Sequence, residues 1–343
     1  LGTESVICHN EFNDRTQAKK TVNTFSGGEA TFFSFLQHNL PVLFKGAYRR
    51  AVRRLPYCFS FNLADRCPIG CDCYWRAQAR VVELSDDEVV AFFQKKRAEG
   101  YLFVSIVGGE PYVRPELLTR IAGIIPLNWV ITSGTTPLRR LRNTTHIVSV
   151  DGANAESHDR VRRSKGLYDR ILKNLGNARA GGNFPTVIHT TLNAQNYKEI
   201  SDILALWAGN GLANGIQVST VTPIKGATDQ TLFLSRDQRI WVVEELLRLK
   251  NQYADFLFMT EAMIRRLHPL HTDRLHPGVC NTAMWIESYD AAGKRISQCI
   301  LSDKADCKEC GCVITTTADR TLPSRTGNML ESMRAMGPMF SFS

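Results

Sequence analysis

The sequence predicts an α/β protein organised around a parallel sheet. Short apolar segments alternate with amphipathic helical patterns from Tyr57 to Thr220, the rhythm of strand–helix–strand crossovers. Two Ser-led capping boxes mark where helices begin. The 343 residues, 43% of them hydrophobic, suffice for one large domain with an appendage.

Residues 1–55 read as a peripheral segment. They are polar over 9–30, with a Ser-Gly-Gly turn, and then carry Phe32, Phe33, Phe35, Leu36, Leu40 and Phe44. Lys45, Arg49, Arg50, Arg53 and Arg54 follow. Such a stretch suits either an anionic membrane surface or a helix packed on the rest of the chain with a solvated basic face.

Tyr57–Leu63 is the first expected strand. The box Ser85-Asp86-Asp87-Glu88 opens a helix bearing Val89, Val90, Phe92 and Phe93, and Gly100 ends it. Further strands are expected at Tyr101–Val107, 129–132, 147–150, 187–192 and 216–220, with helices near 115–124, 167–180 and 197–209. Six strands with interleaved helices make a parallel sheet, either doubly wound or curved into a partial barrel. In both, ligands belong at the C-terminal ends of the strands. Residues 226–276 form a helical connection, its second box at Ser235 to Gln238. Residues 277–343 read as a hairpin (285–289 and 296–299, turning at Gly293) plus a cysteine-rich loop.

Lys and Arg exceed Asp and Glu by 42 − 33 = 9, which favours an anionic ligand or an acidic surface. No nucleic-acid-binding signature accompanies the charge. No apolar run reaches the roughly 18 residues a bilayer span requires. With no secretory signal at residue 1, a cytoplasmic location is expected, with peripheral contact at the inner membrane face.

The ten cysteines fall into an early five (Cys8, Cys58, Cys67, Cys71, Cys73) and a late five (Cys280, Cys299, Cys307, Cys310, Cys312). A disulfide scaffold would be shorter and more evenly spread, so two metal sites in a reducing compartment are expected. Cys67-Pro-Ile-Gly-Cys71-Asp-Cys73 places three thiolates on one loop, a donor set for an iron–sulfur cluster or for zinc. About 35 residues on, the next strand runs into Gly108-Gly109-Glu110-Pro111. Paired glycines at a strand end permit close backbone approach to a ligand, and a carboxylate there can hold a cationic amine.

Together the three-cysteine loop and Gly108 to Pro111 resemble the radical S-adenosylmethionine (SAM) superfamily, over roughly residues 56–225. The resemblance implies a partial (β/α)6 barrel, here with a small C-terminal hairpin and a cysteine-rich extension. It implies a 4Fe-4S cluster on Cys67, Cys71 and Cys73, its open iron chelated by SAM. Reduction of the cluster, by an external donor such as flavodoxin or ferredoxin, would split SAM to a 5′-deoxyadenosyl radical that attacks an organic substrate. By the same resemblance Ser149 and Arg162 would hold the SAM carboxylate. Asp151, Thr132 and Ser133 would lie near the nucleoside, and Asn193 would make a polar contact.

One departure from the family pattern is the single residue between Cys71 and Cys73, so Cys58 is an alternative third ligand. The late cysteines are similar to the twitch and SPASM auxiliary-cluster extensions, which implies a second 4Fe-4S cluster, with zinc as the alternative. The resemblance leaves the substrate as a peptide or an isoprenoid lipid, and the rival reading is a non-catalytic zinc-binding scaffold.

Overall fold

The computed structural model describes residues 29–71, 80–225, 229–273, 282, 285–297, 299–301 and 304–317. Cys8, Cys73 and Cys280 lie outside them. The strands are β1 Cys58–Asn62, β2 Phe103–Val107, β3 Leu127–Thr132, β4 Thr144–Ser149, β5 Thr186–Leu192, β6 Gly215–Thr220, β7 Ile286–Tyr289 and β8 Arg295–Ile296. The helices are α1 Glu29–Ala51, α2 Asp86–Ala98, α3 Pro115–Ile121, α4 Ala155–Arg162, α5 Leu167–Ala180, α6 Ile200–Gly209, α7 Arg236–Gln252, α8 Glu261–Arg265, α9 Pro269–Thr272 and α10 Val313–Thr316.

Both capping boxes form. The Ser85 hydroxyl accepts from the Glu88 amide while the Glu88 carboxylate accepts from the Ser85 amide, and Ser235 and Gln238 do the same for α7. Each satisfies two amides that a helix start would otherwise leave unpaired. All six expected core strands are present, with ends shifted by at most three residues. The expected 197–209 helix begins as a 3-10 turn at Tyr197–Glu199.

The sheet order is β6-β5-β4-β3-β2-β1-β7-β8, and β1 to β6 are parallel and sequential. A doubly wound sheet would reverse direction at a switch point, so the order selects the partial (β/α) barrel over its alternative. The hairpin is not a separate appendage. Its strand β7 joins the main sheet parallel to β1, with Ser60 opposite Ser288, and their hydroxyls bond at 2.8 Å. Its second strand, β8, is shorter than expected.

Side chains alternate across the sheet as the two-residue period requires. Val148, Val150, Ile188, Leu192, Ile216 and Val218 face outward onto the helices and build the larger core. On the inner face Cys58, Phe103, Trp129, Ile147, Val187 and Phe258 form an apolar floor. Higher on that face the walls turn polar, with Ser105, Ser149, His189 and Ser219.

The helix α1 closes the N-terminal end of this floor. Arg49 donates to the Pro56 carbonyl and, at 2.8 Å, to the Tyr101 hydroxyl; Arg50 stacks on Trp285 with its guanidinium 3.6 Å from the ring centroid. Gly46 lets the helix seat on Leu102, whose Cγ would be 2.5 Å from an added Cβ. Beneath it Glu287 accepts from the Tyr101 and Tyr289 hydroxyls, and Lys96 donates to Tyr289 at 2.7 Å. This polar knot ties α1, α2, β2 and the late strand β7 together. Two of the expected basic positions thus pack on the barrel, while Phe33, Leu40, Phe44, Tyr48 and Val52 form an exposed stripe. No described helix is long and apolar enough to cross a membrane.

Candidate functional site

The C-terminal ends of the strands gather most of the predicted residues. Beyond β1 and β2 the two chains continue side by side: Leu63 N–H donates to the Val107 carbonyl, Gly109 to Ala64 and Glu110 to Arg66, each at 2.8 Å. Arg66 immediately precedes Cys67, so the cysteine loop and the Gly-Gly-Glu turn are joined through their backbones. The two glycines are required by this approach. An added Cβ would fall 2.7 Å from the Ala64 oxygen at Gly108, where φ is +125°, and 2.2 Å from the Arg66 oxygen at Gly109.

Cys71 is buried and Cys67 half-buried, both against the outer core that includes Val148, Leu167 and Ile171. Gly70, between them, lies against the Arg163 carbonyl at the end of α4. Cys58 is elsewhere: it opens β1 at the opposite end and sits in the apolar floor, where burial pushes its thiol far above the usual range. Cys58 thus stands a full strand length from the loop that follows Asn62, and the fold does not bring it to Cys67 and Cys71.

Glu110 is fully buried, and its carboxylate is taken up by the protein. It accepts from the Tyr112 amide at 3.0 Å, the Thr132 hydroxyl at 2.8 Å, and both the amide and the hydroxyl of Ser133. Four donors fill the four acceptor positions of a carboxylate. Glu110, Thr132 and Ser133 thus form one knot locking the end of β2 to the end of β3, and a ligand amine would have to displace one of its donors.

Asp151 organises the ends of β4 and β5. Its carboxylate pairs with Arg162 Nε at 2.6 Å and accepts the Thr191 amide at 2.8 Å. Its amide donates to His158 Nδ1 at 3.1 Å, and its carbonyl accepts from Asn196 at 2.9 Å. Asn196 also accepts the Asn193 amide at 2.7 Å, while the Asn193 side chain accepts from Gln195 in a local turn. Ser149 is buried on the inner face two residues below Asp151. Sequence reasoning missed Asn196, for which an Asn-x-x-Asn turn after a strand was the available signal, and gave His158 no role.

The late cysteine loop lies across the mouth end of β6. Gly311 N–H donates to Thr222 Oγ1 and its carbonyl accepts from Thr220, both at 3.0 Å; Asp306 donates to Pro223, and Lys225 to Lys304. A Cβ on Gly311 would overlap Thr220 Oγ1 at 1.9 Å, so the Cys310-Gly311-Cys312 triplet seats only because its centre is glycine. Arg239 of α7 pairs with Glu309 and braces the loop from outside. Cys310 is buried with Thr315 Oγ1 at 3.6 Å and Thr222 Oγ1 at 3.9 Å; Cys299, Cys307 and Cys312 are half-buried. Among the described residues no three His, Cys, Asp or Glu side chains surround a common point.

Residues 61–206 match the Radical SAM superfamily. That segment is a radical SAM domain. It contains the cysteine loop, the Gly-Gly-Glu turn and the Asp151 hub, and it leaves β6 and the late cysteine loop outside the match. The chain is 31% identical over 169 residues to the AdoMet-dependent heme synthase of Methanosarcina barkeri, covering 46% of this chain and 48% of that one. It is 32% identical over 180 residues to the PqqA peptide cyclase of Rhizobium meliloti, covering 48% and 47%. These alignments span about half the length of each relative. The fold is similar to that of SuiB from Streptococcus suis bound to its precursor peptide SuiA, with a TM-score of 0.58 at 13% identity, covering 96% of this chain and 78% of that one.

The radical SAM domain fits the cofactors its family implies. The soft sulfurs of Cys67 and Cys71 stand on the loop after Arg66, whose carbonyl accepts the Glu110 amide and whose guanidinium pairs with Glu83. The Gly108–Gly109 turn lies in direct backbone contact with Ala64 and Arg66, so it holds the start of the cysteine loop against the end of β2.

Proposed function

We propose that the protein is a radical SAM enzyme that modifies a peptide. The observation that carries the catalytic reading is the backbone join between Glu110 and Arg66, which sets the turn at the end of β2 against the cysteine loop. Cys67, Cys71 and Cys73 would hold a 4Fe-4S cluster, with SAM on its open iron. When bound and reduced by an external one-electron donor, this pair supplies homolytic cleavage of SAM to a carbon radical. The chain's own part is to orient and shield. Arg162, half-neutralised by Asp151, and Ser149 offer a site for the SAM carboxylate at the β4 end.

The peptide reading draws on the relative named for a peptide cyclase. It also draws on the barrel interior: Phe103, Trp129 and Phe258 form an apolar floor, while the walls above present the Ser105, Ser149 and Ser219 hydroxyls, suited to amide groups. The apolar stripe of α1 lies at the far end of the barrel from the cysteine loop, which weighs against delivery of a lipid there. We extend the proposal to a second 4Fe-4S cluster on the late cysteines Cys280, Cys299, Cys307, Cys310 and Cys312, of which Cys307, Cys310 and Cys312 stand on the loop bonded to Thr220, Thr222 and Pro223.

Anaerobic reconstitution tests this. The expected result is about eight irons per chain for two 4Fe-4S clusters, and 5′-deoxyadenosine from SAM and dithionite that disappears in Cys67→Ala. Stoichiometric zinc with no nucleoside product would overturn the enzyme reading. Turnover coupled to a mass change in a tetrapyrrole or a lipid, and never in a peptide, would overturn the substrate.

A further inference from the structure

Neither the proposed chemistry nor the motifs account for His189. It lies on β5 in register with Ser149 of β4 and Gln217 of β6, so its ring shares the inner face with the Ser149 hydroxyl on the neighbouring strand. The ring is half-buried, and Asp151 and Arg162 are the charged groups acting on it. Burial holds it neutral, with a pKa lowered to about 4.

Its hydrogen bonding is one-sided. Nε2 bonds the Ser219 hydroxyl at 2.8 Å, and among the described residues this is the ring's one hydrogen bond. Ser219 Oγ also accepts the Val313 amide at 3.0 Å, and it has no third partner among the described residues. A hydroxyl with one incoming N–H and one further neighbour satisfies both by donating to that neighbour. Ser219 therefore donates to Nε2, and the ring proton sits on Nδ1. Val313 opens α10 directly after Cys312, so the late cysteine loop sets the tautomer of a histidine inside the barrel.

We propose that His189 Nδ1–H is a third donor to the carboxylate of SAM, completing the site begun by Ser149 and Arg162. A neutral donor adds a bond there without adding charge beside Arg162, and Ser219 keeps the donor on the correct nitrogen. The inference rests on the proposed radical SAM function and on the place given to the SAM carboxylate.

A thermodynamic cycle tests it. Binding of SAM and of decarboxylated SAM to the anaerobically reconstituted enzyme is measured by calorimetry for wild type, His189→Ala and His189→Asn. Iron content and melting temperature are checked for each protein. Loss of a hydrogen bond to a charged group is expected to weaken SAM binding by about 10- to 100-fold in His189→Ala. Decarboxylated SAM should bind that variant as it binds wild type. His189→Asn, whose amide can replace the donor, should recover part of the loss, and it serves alone if the alanine variant fails to fold. Equal weakening of both ligands, or of neither, would overturn the proposal. Wild type that binds no SAM at all would instead overturn the function on which it rests.

Discussion

Gly109 and Arg66 approach so closely that a Cβ on Gly109 would stand 2.2 Å from the Arg66 carbonyl oxygen. The contact is backbone against backbone, so no side-chain rotation relieves it. Gly109→Ala is expected to destabilise the protein by about 1–3 kcal/mol through overpacking and to lower the iron retained after reconstitution. Gly176→Ala is the control, because nothing lies within 4 Å of its added Cβ in the middle of α5. It should stabilise by about 0.5–1 kcal/mol. Urea midpoints that shift alike in the two variants would show the close approach to be absent.

Asp151 and Arg162 form an ion pair whose side chains are 5% and 14% exposed. Removing one partner of a buried pair strands the other charge. Arg162→Leu is expected to cost about 3–5 kcal/mol, and Asp151→Asn less, since Asn can still accept the Thr191 amide. Chemical denaturation reads both, and an Arg162→Leu protein as stable as wild type would rule the pair out as a brace between α4 and the end of β4.

Three histidines that the fold holds neutral, His146, His158 and His189, make stability depend on pH. Burial lowers His146 to about 3, and His158 and His189 to about 4. In the unfolded chain each titrates near about 6.5, so the unfolded state binds more protons between those values. Their contribution is complete above pH 6.5 and falls as the pH drops, by about 1.4 kcal/mol per unit for each histidine. Unfolding midpoints should decline from pH 7 to pH 5, and a flat profile over that range would contradict the neutral assignments.

Glu287 anchors β7 to the knot beneath α1. Burial raises its pKa, but the Tyr101 and Tyr289 hydroxyls, with Arg295 and Lys96, outweigh this and hold the carboxyl below its ordinary range. Glu287→Ala should cost about 3 kcal/mol and speed hydrogen exchange of β7 amides more than those of β4. Exchange that rises uniformly, or not at all, would mean the knot does not fasten the hairpin.

Much of the radical SAM domain was legible in the residues. The Ser85 and Ser235 boxes are local, three-residue devices, and both formed as read. The strand runs at 103–107 and 187–192 declared themselves because a strand buried on both faces is rich in apolar and β-branched residues, with Ser105 and His189 the exceptions. The Gly108–Gly109 pair was readable because nothing but glycine serves where two backbones touch. The joint roles of Asn196 and His158 at the hub were not, because both bond main-chain atoms of Asp151, 45 and 7 residues away, and a polar loop side chain carries no mark of a partner so distant.

By itself, the sequence determined the element types, the capping, and which short segments could hold thiolates beside a glycine turn. These depend on neighbours within a few positions. Tertiary structure alone decided the rest. It chose the sequential strand order over a doubly wound one, and sent β7 to pair with β1 across more than two hundred residues. It turned Cys58 into the floor, away from the cysteine loop, closed the Glu110 carboxylate with four donors, and faced His189 inward beside Ser149. Each of those outcomes is a matter of which face of which strand meets which partner, and periodicity along the chain sets the alternation without naming the partner.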